Sequence, residues 1–142
     1  MVAIYTQNFV EEWEKVAEIA PASISSATDL AARVDISAYT RLAVLISTAG
    51  DETLDVDFEQ ADALTGGILK TIDGNSHDVT VAASAGTQVV EIRTEEFDTN
   101  PGIESIETFK WFNVEITPAG ANVTGVIVLG LPKNQPAVNN WL

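Results

Sequence analysis

Thr53-Leu54-Asp55-Val56-Asp57-Phe58-Glu59 alternates without a break: Leu54, Val56 and Phe58 fall on one side, and Asp55, Asp57 and Glu59 on the other. An extended chain sends successive side chains to opposite faces, so it sorts this stretch into an apolar and a charged face. A helix would mix them. The segment therefore predicts a strand with one face on a core and one in water.

The same period extends in both directions. Upstream, Thr40 to Ser47 reads as a strong strand and Leu30 to Ile36 as a weak one. Downstream, Gly67 to Ile72 and His77 to Ala82 read as short strands, and Asp73-Gly74-Asn75 between them has the composition of a hairpin turn. Gln88 to Arg93, Phe109 to Thr117 and Val123 to Leu131 complete the set, the last two joined through Pro118, Gly120 and Asn122. About eight short strands at regular spacing, without long helices between them, predict an all-β, antiparallel sandwich of jelly-roll-like type. Val123 to Leu131 is apolar on both faces, as expected of a central strand or one covered by a partner.

One stretch departs from period two. Asn8 to Ala20 carries Phe9, Trp13, Val16, Ala17 and Ala20 at helical spacing, with Glu11, Glu14, Lys15 and Glu18 on the other side. Asn8 with Glu11 three places on has the form of a capping box, and Pro21 would stop the helix. The expected organisation is an N-terminal arm with one amphipathic helix (1–22), a β-sandwich (23–131) and an extended C-terminal tail (132–142).

Seven Lys+Arg against 21 Asp+Glu leave a formal charge of −14. Such a chain repels phosphate backbones and anionic membrane surfaces, so neither nucleic acid nor membrane is an expected partner. The charge keeps the chain soluble and favours neutral or basic partners. A length of 142 residues is enough for one self-sufficient core. With no cysteine, disulfides, thiolate metal sites and cysteine nucleophiles are excluded. Met1 to Thr6 lacks the pattern of a signal peptide, and no apolar run is long enough to span a bilayer. Asn122-Val123-Thr124 matches a glycosylation sequon, a pattern short enough to arise by chance.

Signs of catalysis are sparse. The one histidine, His77, reads as a strand-end residue beside a turn. There is no nucleophile elbow and no phosphate-binding glycine loop. Asp55, Asp57 and Glu59 could in principle serve glycoside cleavage or calcium, but they read first as a solvated strand face. The expectation is a non-enzymatic protein without a cofactor.

The aromatic residues indicate contacts instead. Trp111 breaks parity with Phe112, Val114 and Ile116, so it reads either as a core residue or as lying on the outer face, against the helix or a neighbour. Trp141 and Leu142, at the end of a tail, read as an anchor, because chain ends fray unless held. The apolar helical face, Phe9, Trp13 and Val16, would dock on the sandwich or on a partner. Phe9, Trp13, Val16, Trp111, Trp141 and Leu142 are thus the candidate partner contacts.

Three segments carry a family resemblance. They are Val34-Asp35-Ile36-Ser37-Ala38-Tyr39-Thr40 leading into Leu42-Ala43-Val44-Leu45-Ile46; Leu54 to Ala63 followed by Gly66-Gly67 and Lys70; and Val90 to Asn100 before the strand holding Phe112 and Val114. Together they resemble small phage proteins encoded beside the major capsid protein, from Val34 to about Leu131. The resemblance implies a virion component made in the host cytoplasm: a capsid decoration (cement) protein on the capsid surface, or a minor head or tail protein. It implies the major capsid protein as partner, and self-association, with a homotrimer the natural form at lattice three-folds. It implies no catalytic residues. A carbohydrate-binding sandwich is the alternative, because sugars stack on exposed rings such as that of Trp111.

Overall fold

The computed structural model describes residues 13–50, 52–75, 77–82, 86–98 and 109–133. Its strands are β1 (Glu14–Ile24), β2 (Thr28–Asp29), β3 (Val34–Asp35), β4 (Tyr39–Thr48), β5 (Leu54–Ala61), β6 (Leu69–Thr71), β7 (Val79–Val81), β8 (Gly86–Arg93), β9 (Trp111–Pro118) and β10 (Asn122–Pro132). Short 3-10 turns at Ile36–Ala38, Asp73–Asn75 and Thr94–Glu96 separate some of them.

The strands form two antiparallel sheets. One runs β1-β10-β4-β8; the other runs β2-β9-β5-β6, with β3 also on β9 and β7 also on β5. The pieces β2 and β3 share one edge of β9, and β6 and β7 share one edge of β5. Each pair is therefore one interrupted strand, and the remaining order is that of an eight-stranded jelly roll; the eight strands expected from sequence are a different set, which lacks β1 and counts β6 and β7 separately.

Leu42, Val44, Ile46, Ile92, Val126 and Val128 of the first sheet pack on Leu54, Val56, Phe58, Phe112, Val114 and Ile116 of the second in one continuous core. Phe58 and Phe112 stack with ring centroids 6.2 Å apart, and Phe97 tilts against Phe112 at 5.9 Å. The alternation in β5 holds as read: Leu54, Val56 and Phe58 are fully buried, Asp55 is exposed, and Asp57 and Glu59 are half-buried.

The N-terminal helix is overturned over the residues described. Glu14 to Ala20 belongs to β1, which continues through Pro21 to Ile24. Residues 8–12 of the expected helix, and Phe9 among them, lie outside the described residues. Two bulges explain the misleading period. One extra residue stands between Lys15 and Ala17 and one between Ile19 and Ala22, relative to β10. Each bulge shifts the parity of everything beyond it. The inward residues Val16, Ala17, Ile19 and Ile24 therefore lose period two and imitate a helical stripe. Ala20, expected on the apolar helical face, is exposed, whereas Ile19 is buried.

Pro21 does not stop a helix. It sits on an edge strand at a bulge, where a missing N–H costs no ladder bond. The facing residue is Gly125, where a Cβ would come within 2.9 Å of the Pro21 ring, so only glycine admits this approach. Tyr39 fastens the start of β1, its hydroxyl donating to Glu14 Oε1 at 2.6 Å.

The expected hairpin at Asp73-Gly74-Asn75 is a second correction. β6 and β7 do not pair with each other; both pair with β5. The turn, with Asp73 at φ 46° and Gly74 at φ 64°, lifts the chain off β5, and pairing then resumes in the same direction. The gap in the ladder is filled by a side chain: the Phe58 N–H donates to Asp78 Oδ1 at 2.9 Å.

Candidate protein-binding surface

The outward face of the β2-β9-β5 sheet concentrates acid. Asp57 on β5 lies directly opposite Glu115 on β9, and Glu115 directly opposite Asp29 on β2. Glu59 and Asn113 form the next cross-strand pair, and Asp55 and Thr117 the one on the other side. Asn113 is nearly buried, and its Nδ2 donates to Asp29 Oδ1 at 2.9 Å and to Glu59 Oε1 at 3.0 Å. It thereby holds two carboxylates in place.

Like charges directly opposite on a sheet destabilise it. Burial first, and like-charge crowding after it, raise three carboxyls of this face. Burial raises the carboxyl of Glu115 above its ordinary value, with Asp29 and Asp57 adding to the effect. Burial also raises Asp57, assisted by Asp78 and Asp55. For Glu59, burial raises the value, the Asn113 hydrogen bond opposes it, and Glu115, Asp29 and Asp57 add to the rise.

A raised carboxyl binds its proton more tightly in the folded chain than in the unfolded one. Its stabilisation is complete below the ordinary values of 3.8 for Asp and 4.5 for Glu, and is lost as pH rises through the raised values. These three carboxyls are therefore expected to raise the thermal midpoint as pH falls through their raised values towards 4.5 and 3.8. Glu115→Gln should stabilise the protein at pH 7 by about 0.2–1 kcal/mol and flatten that climb. Scanning calorimetry of both proteins across this range checks the prediction; a contribution of the same size in the wild type and in Glu115→Gln would contradict it.

A groove of about 460 Å³ adjoins the acidic face, lined by Leu30, Arg33, Glu59, Leu64, Asn113 and Glu115 among others. Arg33 forms its far wall and donates to the carbonyls of Ala63 at 2.7 Å and Gly66 at 2.8 Å, which pins the loop after β5. A second, shallower depression lies over Asp55, Asp57, Asp78 and Thr80. Carboxylate oxygens of Asp29, Glu59 and Glu115 lie within 4.8 Å of one another, a spacing that one divalent cation could bridge.

The sequence-derived contact residues scatter. Val16 is half-buried against the protein's own core, at the first bulge of β1. Trp13 is half-buried just ahead of β1. Trp111 is half-buried on the outward face of β9, in line with Asn113 and Glu115, and the Lys110 ammonium lies 5.3 Å from its ring centre. Trp141 and Leu142 lie outside the described residues, as does the expected tail from residue 134. His77 Nε2 sits 2.9 Å from Glu96 Oε2, a strand-end tie between two loops. Asn122 of the sequon is buried, and its Nδ2 donates to the Glu52 carbonyl at 2.8 Å, which is a structural duty.

Reading from sequence missed Asp29, Asn113 and Glu115. The last two were accessible, because they share parity with Trp111. Asp29 was not, because a two-residue strand has no period to read.

No family model matches the chain, and no curated protein matches it. Solved structures that resemble it include the cryo-EM atomic structure of Broad Bean Stain Virus (TM-score 0.45, 14% identity, 86% of each chain). PirA is another (TM-score 0.39, 11% identity, 86% of this chain and 96% of that one). A third is the family 11 carbohydrate-binding module of the cellulosomal cellulase Lic26A-Cel5E of Clostridium thermocellum (TM-score 0.34, 10% identity, 92% of each). At these scores the likenesses assign neither family nor function. Among the described residues, no helix is long and apolar enough to cross a membrane.

Proposed function

We propose that this chain is a structural virion protein, a decoration protein that binds the phage capsid surface through protein–protein contacts, with the major capsid protein as partner. The observation that carries the reading is the cross-strand carboxylate row Asp29, Glu115 and Asp57 on a rigid sheet. A fold that tolerates this repulsion gains when lysines and arginines of a partner neutralise it, and electrostatic complementarity of this kind sets specificity and speeds association. The same face repels packaged DNA, which suits the outside of a head. The phage attribution rests on the sequence resemblance. The body has no catalytic duty in this reading, and it self-associates as a closed, symmetric oligomer.

The test is co-sedimentation with capsids of the encoding phage. Retention is expected at low salt, with a fall as ionic strength rises. The Asp57→Lys, Glu115→Lys double variant should bind at least about tenfold more weakly, the equivalent of about 1.4 kcal/mol. Absence of the protein from purified particles would refute the assignment. Presence on tails alone would move it to a minor tail protein. Binding to glycans that Trp111→Ala abolishes would favour the carbohydrate reading.

A further inference from the structure

A sheet edge is a row of unpaired backbone donors and acceptors, and proteins that must stay apart blunt such edges. Among the described residues, three of the four edges are blunted. β1 carries two bulges and Pro21. One edge of the second sheet is broken into the two-residue strands β2 and β3, and the other into the three-residue strands β6 and β7. β8 is different. It runs eight residues, Gly86 to Arg93, without proline, and keeps unbroken register with β4 over all eight pairs. Among the described residues, no strand lies on its outer side.

One row of the outward face beside this edge is apolar, between polar and charged neighbours such as Thr87 and Glu91. Ile127, Leu45 and Val89 form one cross-strand row that ends at β8. Val89 is 60% exposed and Ile127 39%. A solvated face of an antiparallel sheet is normally polar, so this row is an unfinished contact.

We infer that β8 pairs with β8 of a second copy, antiparallel about a two-fold axis, joining two four-stranded sheets into one of eight strands. The inference does not depend on the virion reading, and it replaces the three-fold expected from the resemblance with a two-fold. Charge makes a second copy acceptable here. β8 holds one acid, Glu91, and one base, Arg93, so the strand is neutral in a chain of net charge −14. Glu91 is paired with Arg41 at 3.0 Å. The acidic face lies on the other sheet, about 10 Å behind, beyond a Debye length of about 8 Å at physiological salt.

Register follows from the face rule, because residues directly opposite must share a face. Centring the axis on Val89 sets Val89 against Val89 of the second copy and makes the apolar row continuous across both. It also sets Glu91 against Thr87. Centring on Val90 would oppose Val89 to Glu91, and centring on Glu91 would oppose two carboxylates, which is destabilising.

The absence of native cysteine makes the test direct. Opposed Cα atoms lie about 4.5–5.5 Å apart, within disulfide reach. At about 100 µM, light scattering should give twice the monomer mass of 15.2 kDa, and Val89→Lys should return the mass to the monomer with an unchanged circular dichroism spectrum. Val89→Cys should cross-link nearly fully under copper–phenanthroline, and Val123→Cys, also exposed (49%) but two strands away from β8, should not. A monomer throughout overturns the inference. So does a dimer or trimer that is insensitive to Val89→Lys and not linked through position 89. A monomer whose capsid binding Val89→Lys abolishes would give the edge to a foreign strand and equally overturn it.

Discussion

Phe112→Ala is expected to cost about 3–5 kcal/mol, against a total of about 5–15 kcal/mol for a domain of this size. The ring is fully buried at the centre of β9, stacked on Phe58 and touched by Phe97. Its removal therefore loses transfer free energy and aromatic contact together, and leaves a cavity that β-strands bonded on both sides cannot collapse to fill. Urea titration reads the effect as a lower midpoint at unchanged slope. Phe112→Leu keeps most of the volume and should recover more than half of the loss. Equal costs for the two substitutions would mean that stacking, and not volume, dominates at this position.

The second large effect is expected at Gln60. Its side chain is 1% exposed and has two duties: Nε2 donates to the Thr71 carbonyl at 2.9 Å, and Oε1 accepts from the Asp98 N–H at 2.8 Å. It thereby ties β5 to β6 and to the end of the turn after β8. Gln60→Ala orphans both backbone groups, at about 1–3 kcal/mol each. The base of the segment that follows Asp98 should loosen first. There Lys70 pairs with Asp98, its ammonium lies 4.2 Å from the centre of the Phe109 ring, and the Phe109 N–H donates to the Asp98 carbonyl. Hydrogen exchange at the Asp98 and Phe109 amides should accelerate more than exchange in β4 or β10. Uniform acceleration across the molecule would mean that Gln60 supports the whole fold and not this corner.

Much of the fold was legible because period two is local physics. β4, β5, β8, β9 and β10 all lie where alternation or apolar runs placed them, and the outward set Asp55, Asp57 and Glu59 was read correctly from one strand. β1 was misread because its bulges are invisible in sequence. An extra residue changes parity only relative to a partner strand, and β10, its partner, lies about 100 residues away in the chain. The turn at Asp73 was misread for a related reason. A turn motif states that the chain bends, and only the neighbouring β5 decides whether the next strand reverses or resumes.

The acidic surface divides in the same way. Composition and the alternation of β5 determined, without any structure, that the protein is strongly acidic, all-β and charged on one face of that strand. The tertiary structure alone decided that Asp29, Asp57 and Glu115 share a row and that, among the described residues, three sheet edges are blunted and β8 is left open. Alternation is written residue by residue along one chain, whereas adjacency across a sheet depends on which distant strands pair and in what register.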